Sequence, residues 1–329
     1  MRSIPEKPYS WNAHGSFAEE WVAHKKCQDW WYCTGILRDE AEKLYTYQVT
    51  ILRISVLGIR FYLLMLALTD FETGKHYYYQ TISPSSGELT LTPAEVSYGG
   101  MARAVRHESG ITMAVRHKRF ALDLELGFGK GAVWHCDGGK LFMGTGGGKY
   151  TTQYYSYTNM PTRGTMVLNG KEMAVQGKTW FDKQYGPFPL LNRLTHWEWF
   201  SLRFDDGEEA MLFSFPQEEN HAYRDGTYIR RDGSCTRLQD YTIVPHELIV
   251  PDGRTTYSCG WDVELPGVKE ERYAIKPLLE GQLNMGYYEL LAGVFNPAGE
   301  QVGFSFVELV PGARSKKFPV KLFNKADQE

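Results

Sequence analysis

The sequence predicts an all-β protein, and three observations carry the prediction. Alternation between apolar and polar residues recurs along the chain. In residues 45–51, Tyr45, Tyr47, Val49 and Ile51 share one face while Thr46, Gln48 and Thr50 share the other. That is the period-two pattern of a half-buried strand. Runs of the same kind cover residues 60–69, 111–115, 120–126, 197–204, 211–215 and 303–309. Turn residues separate many of these runs: Asp206-Gly207, Asp232-Gly233, Asp252-Gly253 and Asn296-Pro297-Ala298-Gly299. Asp-Gly between alternating runs marks a hairpin, because Gly accepts the positive φ of a tight turn. Finally, helical periodicity is confined to two short stretches, residues 17–23 and 93–97. Many short strands at this spacing imply a sandwich or a barrel.

The chain divides into two antiparallel units. Asn169-Gly170-Lys171 and Gln176-Gly177 punctuate its middle, which sets a boundary near residue 175 and domains of 1–175 and 176–329. The polar end, residues 324–329, reads as a frayed tail.

Composition narrows the function. With 329 residues, 43% of them hydrophobic and 14% aromatic, the chain has the material for one large core or two. A formal net charge of -3 lacks the basic footprint that nucleic acid or an anionic membrane requires. The longest apolar stretch, residues 59–68, is interrupted by Arg60 and is far shorter than the roughly 20 residues of a membrane helix. Cys27, Cys33, Cys136, Cys235 and Cys259 form no CxxC pair and no zinc-ligand spacing. The Gly144–Lys149 loop is followed by Tyr150, where a phosphate loop needs Ser or Thr. The expectation is a cytoplasmic protein with reduced thiols, no metal, no cofactor, no nucleic acid and no integral membrane segment. Its partner is a hydrophobic small molecule, and its oligomeric state is open.

The chemistry-bearing residues lie mainly in aromatic strands. In a strand, Trp180, Asp182 and Gln184 point the same way. A carboxyl beside an indole in a dry cavity is a candidate general acid, because desolvation favours its protonated form; the other reading is a turn cap before Tyr185-Gly186-Pro187. In the next strand His196, Glu198, Phe200, Leu202 and Phe204 share one face, and Trp197, Trp199, Ser201 and Arg203 the other. Glu198 is then either structurally paired or a site residue. Glu289 lies on a face with Met285, Tyr287 and Leu291, and Glu308 on one with Phe304, Phe306 and Val310. Both are catalytic candidates or internal struts. Trp31 and Tyr154 belong to dense aromatic strands and line a ligand or pack a core.

Several of these segments, in order, resemble the carotenoid 1,2-hydratase (hydroxyneurosporene synthase) and AttH-like family of lipocalin-like proteins. Trp30-Trp31-Tyr32 with Thr34-Gly35 is similar to its E-W-W-Y-x-T-G signature, Asp29 replacing Glu. Ala67-Leu68-Thr69-Asp70, Tyr154-Tyr155-Ser156-Tyr157-Thr158 and Val175-Gln176-Gly177-Lys178-Thr179-Trp180-Phe181-Asp182 also match family segments. So do Trp197-Glu198-Trp199-Phe200-Ser201-Leu202, Tyr288-Glu289 and Gly303-Phe304-Ser305-Phe306-Val307-Glu308-Leu309. The resemblance spans residues 29–309 and implies two consecutive lipocalin-like antiparallel β-barrel domains, with a hydrophobic ligand near their junction. Family members include hydratases that add water to an isoprenoid double bond; related lipocalin-like proteins catalyse pericyclic cyclisations. Besides Asp29, the pattern departs in three further places: Lys183 stands at a position often occupied by His, Tyr185 at one often occupied by Trp, and Met65 where a His often precedes the Ala-Leu-Thr-Asp run.

A hydratase of this kind protonates an alkene and stabilises a carbocation with aromatic faces. The sequence offers Asp182 or Glu308 for the proton, Glu289 as a further acid, His196 as a water-orienting base, and Trp180, Trp199 and Tyr288 for the cation. Trp197, Glu198, Trp31, Tyr154 and Gln184 complete the expected substrate contacts. The rival functions are a pericyclase, or an isomerase, of a polyene and a non-catalytic carrier of lipophilic molecules.

Overall fold

A computed structural model describes residues 6–9, 15–56, 58–85, 87–143, 150–187, 197–215, 223–310 and 326–328. Apart from the 3-10 turn Glu19–Trp21, the regular elements among them are strands. The fold is all-β and of lipocalin type, built from two curled antiparallel sheets. Contacts group Met1–Trp134, Thr151–Phe188 and Asn324–Glu329 into one compact unit, and His135–Tyr150 with Pro189–Phe323 into a second.

The first unit is organised around the strand Lys171–Gly186. It pairs on one side with Gln28–Asp39 and on the other with Thr151–Leu168. Beyond Gln28–Asp39 the sheet continues through Leu44–Val56, Ile59–Asp70 and Lys75–Ser83. In the opposite direction lie Phe120–Gly127, Gly110–Arg116 and Ala102–Arg106. Residue 175 falls inside the central strand, which runs unbroken through it. The Asn169-Gly170 pair is the hairpin turn that starts this strand, with φ of 50° and 82°, as a two-residue hairpin requires.

Alternation sorts each strand between two environments. Tyr47, Leu64, Leu66, Tyr77, Leu122 and Phe181 point to one side and form a continuous apolar core. Each such burial contributes about 1.5–3 kcal/mol. The opposite face is also buried yet largely polar: Thr34 and Gln80 are 0% exposed, Gln48 is 3% and Ser156 is 0%.

The second unit centres on Trp197–Phe204, flanked by Glu209–Phe215 and Gln301–Val310. Tyr287–Phe295, Lys269–Pro277, Tyr257–Leu265 and Thr242–Ile249 extend the sheet beyond Gln301–Val310. Phe200, Leu202, Trp261, Val263, Leu290 and Val307 build its core. The Asp-Gly hairpins form where the sequence puts them, with Gly207 at φ 83° and Gly233 at φ 84°.

Three local expectations are corrected. Residues 93–97 form no helix; Glu95–Tyr98 is a strand, because Val96 and Tyr98 both insert into the first core. In residues 17–23 only one 3-10 turn forms. Glu19 accepts the Ser16 amide at 2.7 Å, and the Trp21 carbonyl accepts the Trp31 indole N–H at 2.8 Å instead of continuing a helix. The C-terminal end is not wholly frayed, since Ala326–Gln328 pairs with Lys75–Ser83. There Asp327 meets Lys118 at 2.5 Å.

Candidate functional site

The strand Lys171–Gly186 sends consecutive side chains to opposite faces, and its two faces carry different chemistry. Trp180, Asp182 and Gln184 lie on the face away from the core. The Trp180 indole Nε1 donates to Asp182 Oδ1 at 2.6 Å. The Ser156 hydroxyl, directly across the strand pair, donates to the same oxygen. Asp182 is 6% exposed and sits in the body of a strand, which sets aside the turn-cap reading. Both donors converge on the one oxygen, Oδ1. Gln184 Nε2 donates to Thr152 Oγ1 at 2.8 Å, and Tyr154 lies opposite Gln184 in the register.

Lys183 and Tyr185 point the other way, into a buried ionic cluster. Asp29, fully buried, accepts from Arg53 Nη1 at 2.8 Å and from Lys183 Nζ at 2.9 Å, and its Oδ1 lies 3.0 Å from His24 Nδ1. The other ring nitrogen, His24 Nε2, meets Glu20 at 2.8 Å, and the Tyr185 hydroxyl donates to Glu20 at 2.7 Å. Burial alone would raise the Asp29 carboxyl; the Lys183 charge and the His24 hydrogen bond reverse this and hold it below the usual carboxylate range. Glu20 follows the same logic, burial being overcome by donors from His24, Lys7, Gly15 and Tyr185. Lys183 Nζ also lies 4.1 Å from the centroid of the Trp31 ring. Trp31 therefore belongs to the core side, away from Asp182.

In the second unit Glu289 and Glu308 are direct cross-strand partners, and Trp199 stands opposite Glu308 on the next strand. Such partners have Cβ atoms about 4.5–5.5 Å apart. Trp197 Nε1 donates to Glu308 Oε1 at 2.6 Å. This face, with Trp197, Trp199 and Phe213, lies away from the second core. Glu198 and Tyr288 are on the core side: Ser258 donates to Glu198 Oε1 at 2.6 Å, and Tyr288 packs edge-on against Tyr257 at 5.6 Å. His196 lies outside the described residues, as does the Gly144–Lys149 loop. His135 is fully buried, and desolvation pushes its pKa down to about 3, leaving the ring neutral.

The candidates thus fall into separate groups: Asp182 with Trp180, Gln184 and Tyr154; Glu289 and Glu308 with Trp197 and Trp199; Trp31, Glu198 and Tyr288 on core faces. Sequence reasoning gave no site role to Ser156, Glu20, His24 or Arg53. Part of the signal was present, because Asp29, Lys183 and Tyr185, three positions that depart from the family pattern, meet in one cluster.

A model of the AttH-like family matches residues 10–312, and the chain belongs to that family. No curated protein matches the sequence. Among solved structures it is similar to a protein from Nitrosomonas europaea assigned to AttH, with TM-score 0.81 and 21% identity over 92% of this chain and 99% of that one. Kievitone hydratase from Nectria haematococca gives TM-score 0.71 and 19% identity over 87% and 89%. CghA in complex with Sch210972 gives 0.55 and 9% over 89% and 90%.

Proposed function

We propose that this member of the AttH-like family is a cofactor-independent enzyme that adds water to a carbon–carbon double bond of a hydrophobic molecule with a polyene or isoprenoid part. The observation that carries the reading is Asp182, a buried carboxyl whose Oδ1 receives both the Trp180 indole and the Ser156 hydroxyl. Proteins of the same fold include one named as a hydratase and one holding a small molecule.

The reaction needs a proton, a cation and a water. The carboxyl proton of Asp182 goes to one alkene carbon, and the π electrons form the new C–H bond. The Trp180 ring stabilises the carbocation on the other carbon. Water adds to that carbon, and the oxonium returns its proton to the carboxylate, which restores the acid. Glu308 is the rival donor. Its cross-strand partner Glu289 disfavours ionising both carboxyls, since two neighbouring like charges favour keeping one proton.

The test incubates purified protein with polyenes and isoprenoid-substituted compounds and follows products by chromatography and mass spectrometry. A gain of one water supports the proposal. An isomer of unchanged mass indicates a cyclase or isomerase, and unaltered but retained ligand indicates a carrier. General-acid catalysis contributes roughly 10²–10⁴-fold. Asp182→Asn or Glu308→Gln is therefore expected to lose on the order of 10²-fold in kcat, and retention of activity within about tenfold by both would remove the acid assignment.

A further inference from the structure

We infer that the chain forms a two-fold dimer through the strand Thr242–Ile249, which pairs edge to edge with the same strand of a second copy. This strand ends the sheet of the second unit. It pairs with Tyr257–Leu265 on one side and with no described strand on the other. Its neighbour in the chain, Cys235–Leu238, ends the sheet at the opposite side and pairs with Tyr223–Ile229 instead. The free edge presents backbone N–H and C=O groups, a template for one more strand.

The same strand turns an apolar face to solvent. Val244, Leu248 and Val250, the last just past the strand end, are 52%, 58% and 50% exposed; among the described residues only Ile59 and Phe142 are other large apolar side chains as open as this. Period two puts these three on one face with Thr242 and His246. Every position from Val244 to Leu248 is exposed, so the stripe is not the margin of the second core, which takes only Ile243 and Ile249 from this strand. Edges are commonly guarded by proline and charge. Here Pro245 withholds one N–H while its carbonyl still accepts, and the one carboxylate, Glu247, lies off the apolar face.

A lipid surface would take the stripe and leave the edge groups unpaired, whereas a strand satisfies both. The strand fits its own copy. Antiparallel pairing with the two-fold axis at His246 sets Val244 against Leu248 of the other copy, Thr242 against Val250, Ile243 against Ile249 and Pro245 against Glu247. Each of these contacts occurs twice, as in any isologous interface. His246 meets its own copy, with an Asp262 carboxylate 3.0 Å from each ring. Apolar side chains thus face apolar ones, and such cross-strand pairs are what stabilises a sheet. Moving the axis to Glu247 sets that carboxylate against itself, which disfavours pairing. Moving it to Pro245 sets Val250 against Asp240 and two residues without an N–H against each other. One strand edge and one stripe make a small interface, so the dimer is concentration-dependent.

Analytical ultracentrifugation of the full chain, from low micromolar to submillimolar concentration, should show monomer converting to dimer. Leu248→Lys changes an exposed side chain and is expected to weaken the dimer roughly tenfold or more at unchanged thermal stability. The register is tested in a Cys235→Ser background, which removes the exposed native thiol. In that background His246→Cys should give a disulfide-linked dimer on oxidation with diamide, and Val250→Cys, far from the axis, should not. A monomer at every concentration, a dimer indifferent to Leu248→Lys, or crosslinking of Val250→Cys as fast as His246→Cys would overturn the inference. So would a monomer that floats with phosphatidylcholine vesicles in a Leu248-dependent way, which gives the stripe to lipid.

Discussion

Asp182 and Lys183 are consecutive residues whose charges are handled in opposite ways. Asp182 is held by two neutral donors, an indole and a hydroxyl, whereas Lys183 is held by the charge of Asp29 at 2.9 Å. Asp29 is the hub of its cluster, because Arg53, Lys183 and His24 all converge on it. Removing the hub takes the carboxylate from the fully buried Lys183 ammonium, although Arg53 keeps Glu6 and His24 keeps Glu20, while removing one spoke leaves Asp29 with its other partners. Asp29→Asn is expected to cost about 3–5 kcal/mol, the range for breaking a buried ion pair, and Lys183→Met clearly less. Urea denaturation measures both, and equal losses would show that Asp29 is not the hub. The pH dependence follows from the same cluster. Asp29 and Glu20 both have folded pKa values below their unfolded ones, so they bind fewer protons folded than unfolded. Their contribution is complete above the unfolded values of about 4 and is lost as pH falls through the folded values. Stability should therefore decline on acidification below about pH 5, with a shallower slope in Glu20→Gln than in the wild type. A parallel slope would mean that Glu20 is not depressed.

The strand Lys171–Gly186 shows which features were legible at the scale of elements. Which side chains share a face follows from period two, so Trp180, Asp182 and Gln184 could be grouped from the sequence, as could Trp197 with Trp199. Which face of Lys171–Gly186 meets the core could not, because both faces of its second half are buried, whereas in Trp197–Phe204 the more apolar face, with Phe200, Leu202 and Phe204, is the one that meets the second core. The glycines misled for a physical reason. Gly170 turns a hairpin, but Gly177 lies within the strand, where an added Cβ would fall 1.9 Å from the Ile36 carbonyl oxygen. Gly marks close approach of two backbones there, not a linker, and the two uses look alike in a sequence. Gly177→Ala should push Lys171–Gly186 from Gln28–Asp39 and destabilise the protein by roughly 1–3 kcal/mol, the usual cost of overpacking. Chemical denaturation checks this, and a neutral result would show that the two strands can separate locally without cost.

At the scale of the whole molecule, the all-β architecture was legible because hairpin turns and alternation are local signals. The assignment of segments to units was not, because it depends on long-range pairing. Residues 135–150 group with the second unit although they precede two strands of the first, and 324–329 group with the first although they end the chain. The cysteines report on the two units separately. All five are free; Cys235 is exposed, Cys259 is intermediate, and Cys27, Cys33 and Cys136 are buried. Burial also raises the Cys27 and Cys136 thiols, which removes the thiolate that a disulfide reagent attacks. In native buffer one thiol should react quickly with such a reagent and a second slowly, leaving three protected. Cys27 and Cys33 belong to the first unit and Cys136 to the second. Labelling along a denaturant series, read by peptide mass spectrometry, thus follows the opening of each unit. Coincident exposure of Cys33 and Cys136 indicates one cooperative transition, and separate midpoints indicate two. Rapid labelling of Cys33 or Cys136 in native buffer would contradict the packing that buries them.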